Sequence, residues 1–127
     1  MKLISIILTL IFVTGCTTLK DASEARGTGK QEVYNYTYDE VWDAAVGVVT
    51  ESKLDLVAKD KEDGKILAQQ GMSAFSYGEN VAVFVEKSSE VETKVEVVSK
   101  RALQTNVVAK DWSSYILTKI REALKQI

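Results

Sequence analysis

The side chains that most often carry chemistry in proteins are scarce in this sequence. Its 127 residues include no His and a single cysteine, Cys16. Without His, the chain cannot build a Ser-His-Asp or Cys-His catalytic group, a His-containing zinc site or the usual switch near neutral pH. One cysteine excludes a disulfide framework and a CxxC redox motif. Since no G-x-S-x-G or S-x-x-K motif offers an activated serine either, we expect no catalytic residues, no enzyme activity and no cofactor.

The densest group of carboxylates is Asp60, Glu62 and Asp63, directly before Gly64. A calcium loop would need the spacing D-x-[DN]-x-[DN]-G, which these residues lack. Asp-Gly between two apolar runs is instead a strong hairpin signal. We therefore interpret the group as a solvated turn and expect no metal site. A formal charge of −2 also argues against nucleic acid, which is bound by strongly basic faces.

The start of the sequence has the pattern of an export signal. Lys2 precedes an apolar run over residues 3–13 that is broken only by Ser5 and Thr9. As a helix this run spans about 16 Å, whereas a hydrocarbon core of about 30 Å needs about twenty residues. The pattern therefore predicts a signal peptide, cleaved after residue 15, rather than a membrane span.

The following residues, Val13-Thr14-Gly15-Cys16, resemble the lipobox of bacterial lipoprotein precursors. In that family the Cys thiol receives a diacylglycerol, the chain is cut before the Cys, and its new amine is usually acylated. The resemblance implies membrane lipid as a partner, through acylated Cys16. Thr17 implies the periplasmic leaflet of the outer membrane in a Gram-negative organism, and the cell membrane otherwise. The alternative is an ordinary secretory signal that happens to end at a Cys.

Residues 16–30 are predicted to join the lipid to the folded part. They are polar, lack aromatic residues and contain Gly27 and Gly29, as is typical of a flexible tether. The Gly-Thr-Gly at 27–29 has no predicted strand before it, so we interpret it as linker rather than as a phosphate-binding loop. Residues 31–127 are then expected to form one domain.

Hydrophobic periodicity over 31–127 predicts the order β-α-β-β-β-β-α. Thr37 and Glu40 have the spacing of a capping box at the start of the first helix. The start of the last helix stays open between two N-cap candidates, Asn106 and Asp111.

The strand patterns predict an antiparallel sheet with one buried and one wet face. Alternation over 54–59 places Leu54, Leu56 and Ala58 on the buried face. Alternation over 91–100 places Glu96 on the wet face, with Val98 as its one apolar member. The predicted fold is a two-layer α+β domain in which both helices pack on one face of the sheet.

The large apolar residues divide into two groups. Trp42 and Trp112 lie on the apolar stripes of the two helices and are interpreted as core. Met72, Phe75 and Tyr77 lie in a Gly-flanked connection, where large apolar groups are harder to bury. We expect them to form a contact surface for a partner or lipid, or else to fold back as a core lid.

Several segments resemble small bacterial lipoproteins of unknown function, and most of all the helix-grip domains of lipoprotein component C of the outer-membrane β-barrel assembly machinery. Besides the lipobox, the resemblance is carried by residues 36–44, 63–66, 93–97 and 101–112. It implies a helix-grip-like fold and no catalytic residues.

Together these features predict a non-catalytic, membrane-anchored envelope lipoprotein that serves as a periplasmic protein-interaction or structural module. An envelope protein is then the expected partner. The alternative is a small-molecule or lipid carrier. A carrier would need a closed apolar cavity of about 300 Å³ or more between the sheet and the C-terminal helix.

Overall fold

The computed structural model describes residues 19–71, 78–101 and 112–127. These residues form the helices α1 (Leu19–Glu24), α2 (Tyr38–Glu51) and α3 (Trp112–Leu124). They also form the strands β1 (Lys30–Tyr34), β2 (Asp55–Asp60), β3 (Lys65–Gln70), β4 (Glu79–Ser89) and β5 (Glu92–Arg101).

The five strands make one antiparallel sheet in the order β1-β5-β4-β3-β2. Helices α2 and α3 lie side by side on one face of this sheet. The predicted α+β class, the antiparallel sheet and the packing of both long helices on one face are therefore confirmed.

Helix α2 begins where its sequence predicts. The Thr37 hydroxyl oxygen accepts a hydrogen bond from the Glu40 backbone N–H at 3.3 Å, and the Thr37 N–H donates to Glu40 Oε1 at 3.1 Å. The side-chain oxygen of each residue thus accepts a hydrogen bond from the backbone N–H of the other, which is the capping box. Helix α2 then packs one apolar stripe onto the sheet, formed by Val41, Ala45 and Val49.

The main core fills the space between the sheet and the two long helices. The members that expose 1% of their surface or less include Val81, Val83, Val95, Val97, Trp112, Ile116, Ile120 and Leu124. A cavity large enough for a ligand would leave accessible area on the side chains around it. These described residues leave almost no accessible area between the sheet and the two long helices.

Strand β2 departs from the predicted alternation. Leu56 pairs with Ala68 and Ala58 pairs with Leu67, so Val57 is an extra residue that forms a bulge. The bulge disturbs the alternation, and all six residues of this edge strand are exposed. The prediction that Leu56 and Ala58 are core residues is wrong, and Leu56 is 37% exposed.

The second face of the sheet is covered near its centre by α1. Ala22 of α1 packs with Ala82, Phe84 and Val98 in a smaller cluster whose members are at most 3% exposed. The guanidinium of Arg26 lies 4.5 Å from the centroid of the Phe84 ring. Residues 19–30 therefore differ from the predicted flexible tether, because the apolar side chains of β4 and β5 on this face give them a surface to pack on.

Edge strand β1 is held to α3 by a buried tyrosine and an ion pair. The Tyr34 hydroxyl donates to the Leu117 carbonyl oxygen at 2.7 Å, and burial raises the pKa of Tyr34. Glu32 accepts two hydrogen bonds from Arg121, with Nε–Oε1 at 2.8 Å and Nη2–Oε2 at 3.1 Å. The hydrogen bond from Arg121 holds the pKa of Glu32 below its usual value.

This ion pair predicts an acid-dependent contribution to stability. A carboxyl group whose pKa is lowered by folding contributes stability above its unfolded pKa of 4.5, and that contribution is lost as the pH falls through the lower folded value. We expect Glu32→Gln to cost a small amount of stability at pH 7, because the pair is partly exposed, and progressively less below pH 4.5. Urea unfolding as a function of pH measures this, with Glu51→Gln on the exposed side of α2 as the control. A Glu32→Gln deficit that stays constant into acid would contradict the assignment.

Candidate functional site

The outward side of α2 and the C-terminal end of α3 leave an open groove of about 540 Å³ between them, which we call the interhelix groove. Its apolar lining consists of Ala44, Gly47, Val48, Ala123, Leu124 and Ile127. On α2 the lining residues lie on the side away from the stripe that meets the sheet. The C-terminal end of α3 contributes Leu124 from its buried stripe, together with Ala123 and Ile127. Leu124 is fully buried, whereas the other apolar lining residues are at least partly open to solvent there: Ala44, Gly47, Val48, Ala123 and Ile127.

Small side chains keep this groove wide. A Cβ atom added at Gly47 would meet nothing within 4 Å, so no neighbour requires glycine there. Glycine in the interior of a helix costs about 1 kcal/mol relative to alanine. The open space at Gly47 is therefore maintained at the expense of the stability of α2.

The rim of the interhelix groove is acidic. Glu40, Asp43 and Glu51 line it from α2, and the described residues of its lining include no Lys or Arg. A smaller groove of about 300 Å³ continues past Val48 and contains Lys119, which pairs with Glu122 at 3.3 Å. The interhelix groove thus combines an apolar floor with a negatively charged rim, which suits a ligand that is apolar and basic.

A larger groove of about 1050 Å³ lies at the β2–β3 hairpin, but most of the charges around it are already paired. Lys61 contacts Asp39 at 3.0 Å, and Lys87 contacts Glu90 at 3.0 Å. The Tyr38 hydroxyl donates to the Lys61 carbonyl oxygen at 2.6 Å, and burial raises the pKa of Tyr38. The Tyr38 hydroxyl therefore serves as a hydrogen-bond donor to the backbone. Because its polar groups bind one another, we do not choose this larger groove as the candidate site.

The carboxylates at this hairpin serve the turn. Asp60 Oδ1 accepts from the backbone N–H groups of Glu62 at 3.1 Å and Asp63 at 3.2 Å. Gly64 follows with φ +67°, and a Cβ atom there would lie 2.1 Å from the Val85 carbonyl oxygen. The structure thus agrees with the hairpin interpretation. Across the described ranges, no three acidic, His or Cys side chains are grouped so that they could hold a metal ion.

The predicted site residues fall into two sets. Trp42 and Trp112 are 5% and 1% exposed, so both are core residues as predicted. Trp42 stacks on Tyr38 with ring centroids 6.3 Å apart, and Trp112 Nε1 donates to Gln70 Oε1 at 3.1 Å.

The other set lies outside the described residues, and its members stay predictions. It comprises the lipidation site, the predicted contact surface and both N-cap candidates of the last helix: Cys16, Met72, Phe75, Tyr77, Asn106 and Asp111.

The strand alternation predicts that Glu96 lies on a wet face of the sheet, yet its side chain is only 3% exposed. Its Oε2 accepts from the Gly27 N–H at 2.7 Å and from the Gly29 N–H at 2.8 Å. Gly27 has φ +96°, and a Cβ atom at Gly29 would lie 2.2 Å from the Val97 carbonyl oxygen. The Gly-x-Gly spacing ahead of a strand was the available signal: these backbone N–H groups bind an anion, and that anion is Glu96.

Within the ranges that the structure describes, no helix is both long enough and apolar enough to cross a bilayer.

Comparisons with known proteins add little beyond the fold. No protein-family model matches the chain, and none of the curated proteins does. Among solved structures, it is similar to the di-domain ARO/CYC StfQ from the steffimycin biosynthetic pathway, with 8% sequence identity and a TM-score of 0.43 over 76% of this chain and 43% of that chain. The chain thus spans less than half the length of that protein, and so low a score carries no argument about activity. The resemblance to lipoprotein component C stays a prediction.

Proposed function

We propose that this protein is a lipid-anchored, non-catalytic envelope lipoprotein whose domain binds another envelope protein through the interhelix groove. The observation that carries the proposal is the groove itself, with its apolar floor of small residues and its acidic rim. The anchor is acylated Cys16, which follows from the lipobox. Its location is the periplasmic leaflet of the outer membrane in a Gram-negative organism, and the cell membrane otherwise.

The shape of the surface favours a protein partner over a small molecule. The interhelix groove is open to solvent, whereas small ligands are usually enclosed over most of their surface. The carrier alternative needs a cavity between the sheet and α3, where Ile116 and Ile120 are fully buried against the core. Both observations support binding at the outer surface of the helix layer.

The rim defines the chemistry of the partner. An amphipathic helix can lay its apolar face into a groove between two helices, with its small and large side chains filling the floor. Glu40, Asp43 and Glu51 then favour Lys or Arg along the edges of that helix. We therefore expect the partner to present an apolar helix flanked by basic residues.

Site-specific photocrosslinking in the native host tests this. A photoreactive residue at Ala123, inside the groove, is expected to capture a discrete envelope protein. Mass spectrometry should place the crosslink in a segment of that protein with apolar residues flanked by Lys or Arg. The same residue at Thr50, an exposed position of α2 outside the groove lining, is the control and should give no such adduct.

Two variants at Gly47 sharpen the test. Gly47→Phe fills the groove and should abolish the Ala123 adduct. Gly47→Ala should keep the adduct and stabilise the domain by about 1 kcal/mol, since the added methyl group meets nothing within 4 Å. Asp43→Lys should weaken the adduct by charge repulsion. An adduct that forms equally at Thr50, or that survives Gly47→Phe, would rule out the groove as the binding surface.

A further inference from the structure

We propose that the sheet face covered by α1 lies against the lipid bilayer, so that the interhelix groove opens away from the membrane. This inference rests on the proposed lipidation of Cys16. It concerns which side of the domain faces the lipid. An anchor on a long flexible tether would leave that orientation undefined.

The first step is that α1 is docked on the sheet. Ala22 is fully buried against the central strands β4 and β5. Lys65 Nζ of β3 donates to the Ser23 hydroxyl oxygen at 3.0 Å, and Arg26 Nη2 donates to the Asp63 carbonyl oxygen at 3.4 Å. Helix α1 therefore lies over the middle of the sheet rather than at an edge.

The second step is that the segment between α1 and β1 is held as well. Glu96 binds the backbone N–H groups of Gly27 and Gly29 at 2.7 and 2.8 Å. Directly after Gly29 the chain enters β1, which pairs with β5. From Leu19 onward, the chain is thus attached to the sheet at α1, at Glu96 and along β1.

The third step is the length that remains free. Cys16 lies three residues before Leu19. An extended chain spans at most about 3.3–3.6 Å per residue, so the acylated Cys lies within about 10 Å of the start of α1. A flexible tether of fifteen residues would instead have an average end-to-end distance of about 20 Å and a maximum near 50 Å. The short distance brings the face that carries α1 next to the lipid headgroups.

The charge of α1 adds no attraction to the bilayer, so the orientation rests on the anchor. The exposed residues of α1 are Lys20, Asp21 and Glu24, so α1 offers no excess of basic charge for anionic lipids. Helices α2 and α3 lie beyond the sheet, and a helix is itself about 10–12 Å in diameter. The interhelix groove is therefore held well clear of the bilayer, where a partner protein can reach it.

Fluorescence quenching on vesicles tests the orientation. The full-length lipidated protein is reconstituted in phosphatidylethanolamine–phosphatidylglycerol vesicles that carry a nitroxide on the headgroup. Because Cys16 is the single native cysteine and is acylated, an introduced Cys is the one free thiol for a fluorophore. We compare Lys20→Cys and Glu24→Cys on α1 with Thr50→Cys on α2 and Lys125→Cys after α3, all at exposed positions.

The α1 labels are expected to lose most of their fluorescence, and the labels on the helix layer very little. Inserting a flexible 20-residue Gly-Ser segment between Thr18 and Leu19 should remove this difference without disturbing the fold. Replacing phosphatidylglycerol with phosphatidylcholine should leave the difference unchanged. Equal quenching of the two sets, stronger quenching of the helix layer, or a difference that persists after the insertion would overturn the inference. A protein that does not float with the vesicles at all would instead refute the lipid anchor of the proposed function.

Discussion

Ile120→Ala is expected to lower the free energy of unfolding by about 2–5 kcal/mol, the cost of removing a large apolar side chain from a packed core. Ile120 is fully buried between α3 and the sheet. The core cluster that contains it includes fully buried residues of α2 and of the strands, so the surroundings have little freedom to fill the space left by the substitution. The loss then includes both the transfer of the side chain to water and the cavity that remains.

Leu56→Ala is the matched control for this substitution. Leu56 belongs to the predicted apolar face of a strand, but it is 37% exposed on the bulged edge strand β2. We expect it to cost less than about 1 kcal/mol, as partly exposed positions usually do. Urea unfolding at pH 7, followed by the fluorescence of the core residues Trp42 and Trp112, measures both values. Equal losses for the two variants would mean that β2 is packed as its sequence pattern predicts and not as the structure has it.

Glu96→Ala is expected to lower the free energy of unfolding by about 2–3 kcal/mol, because two backbone donors lose their acceptor in a partly buried place. The carboxylate receives the N–H groups of both Gly27 and Gly29. Without the carboxylate, water must hydrate these two groups, and the turn that leads from α1 to β1 loses its main attachment.

The effect of Glu96→Ala is expected to be local, which gives a second measurement. Hydrogen exchange at the Gly27 and Gly29 amides should become fast, while the amides of the main core keep their order of protection. Glu92→Ala, on the same strand but partly exposed, is the control for losing a carboxylate from β5. Glu96→Gln keeps one acceptor oxygen and should fall between the two. Unchanged protection of both glycine amides in Glu96→Ala would contradict the assigned hydrogen bonds.

Several elements follow from the sequence because they depend on neighbouring residues. The capping box of Thr37 and Glu40 needs only a four-residue stretch, and the hairpin at Gly64 needs only an Asp-Gly turn between two apolar runs. The apolar stripes that contain Trp42 and Trp112 are periodic, so they predict both long helices and their buried sides. Composition likewise argued against His-based and disulfide chemistry without reference to the fold.

Other features arise only when distant segments meet. The periodicity of β2 predicted a buried Leu56, but a bulge relative to β3 changed which residues face the helices. Glu96 has the pattern of a solvated residue, and Gly27 and Gly29 have that of a linker. They bind each other across 69 and 67 residues of sequence. The Gly-x-Gly spacing can indicate a bound anion, but nothing near it in the sequence identifies Glu96 as that anion.

The amino-acid sequence by itself thus determined the α+β class, the two long helices and the lipobox that predicts an anchor at Cys16. The tertiary structure decided that α1 is docked rather than free, and that small residues of α2 and α3 leave an acidic-rimmed groove between them. The physical reason is the range of the interactions. Caps, turns and periodic stripes depend on residues a few positions apart, whereas burial on the second sheet face and an open groove depend on which surfaces the folded chain brings together.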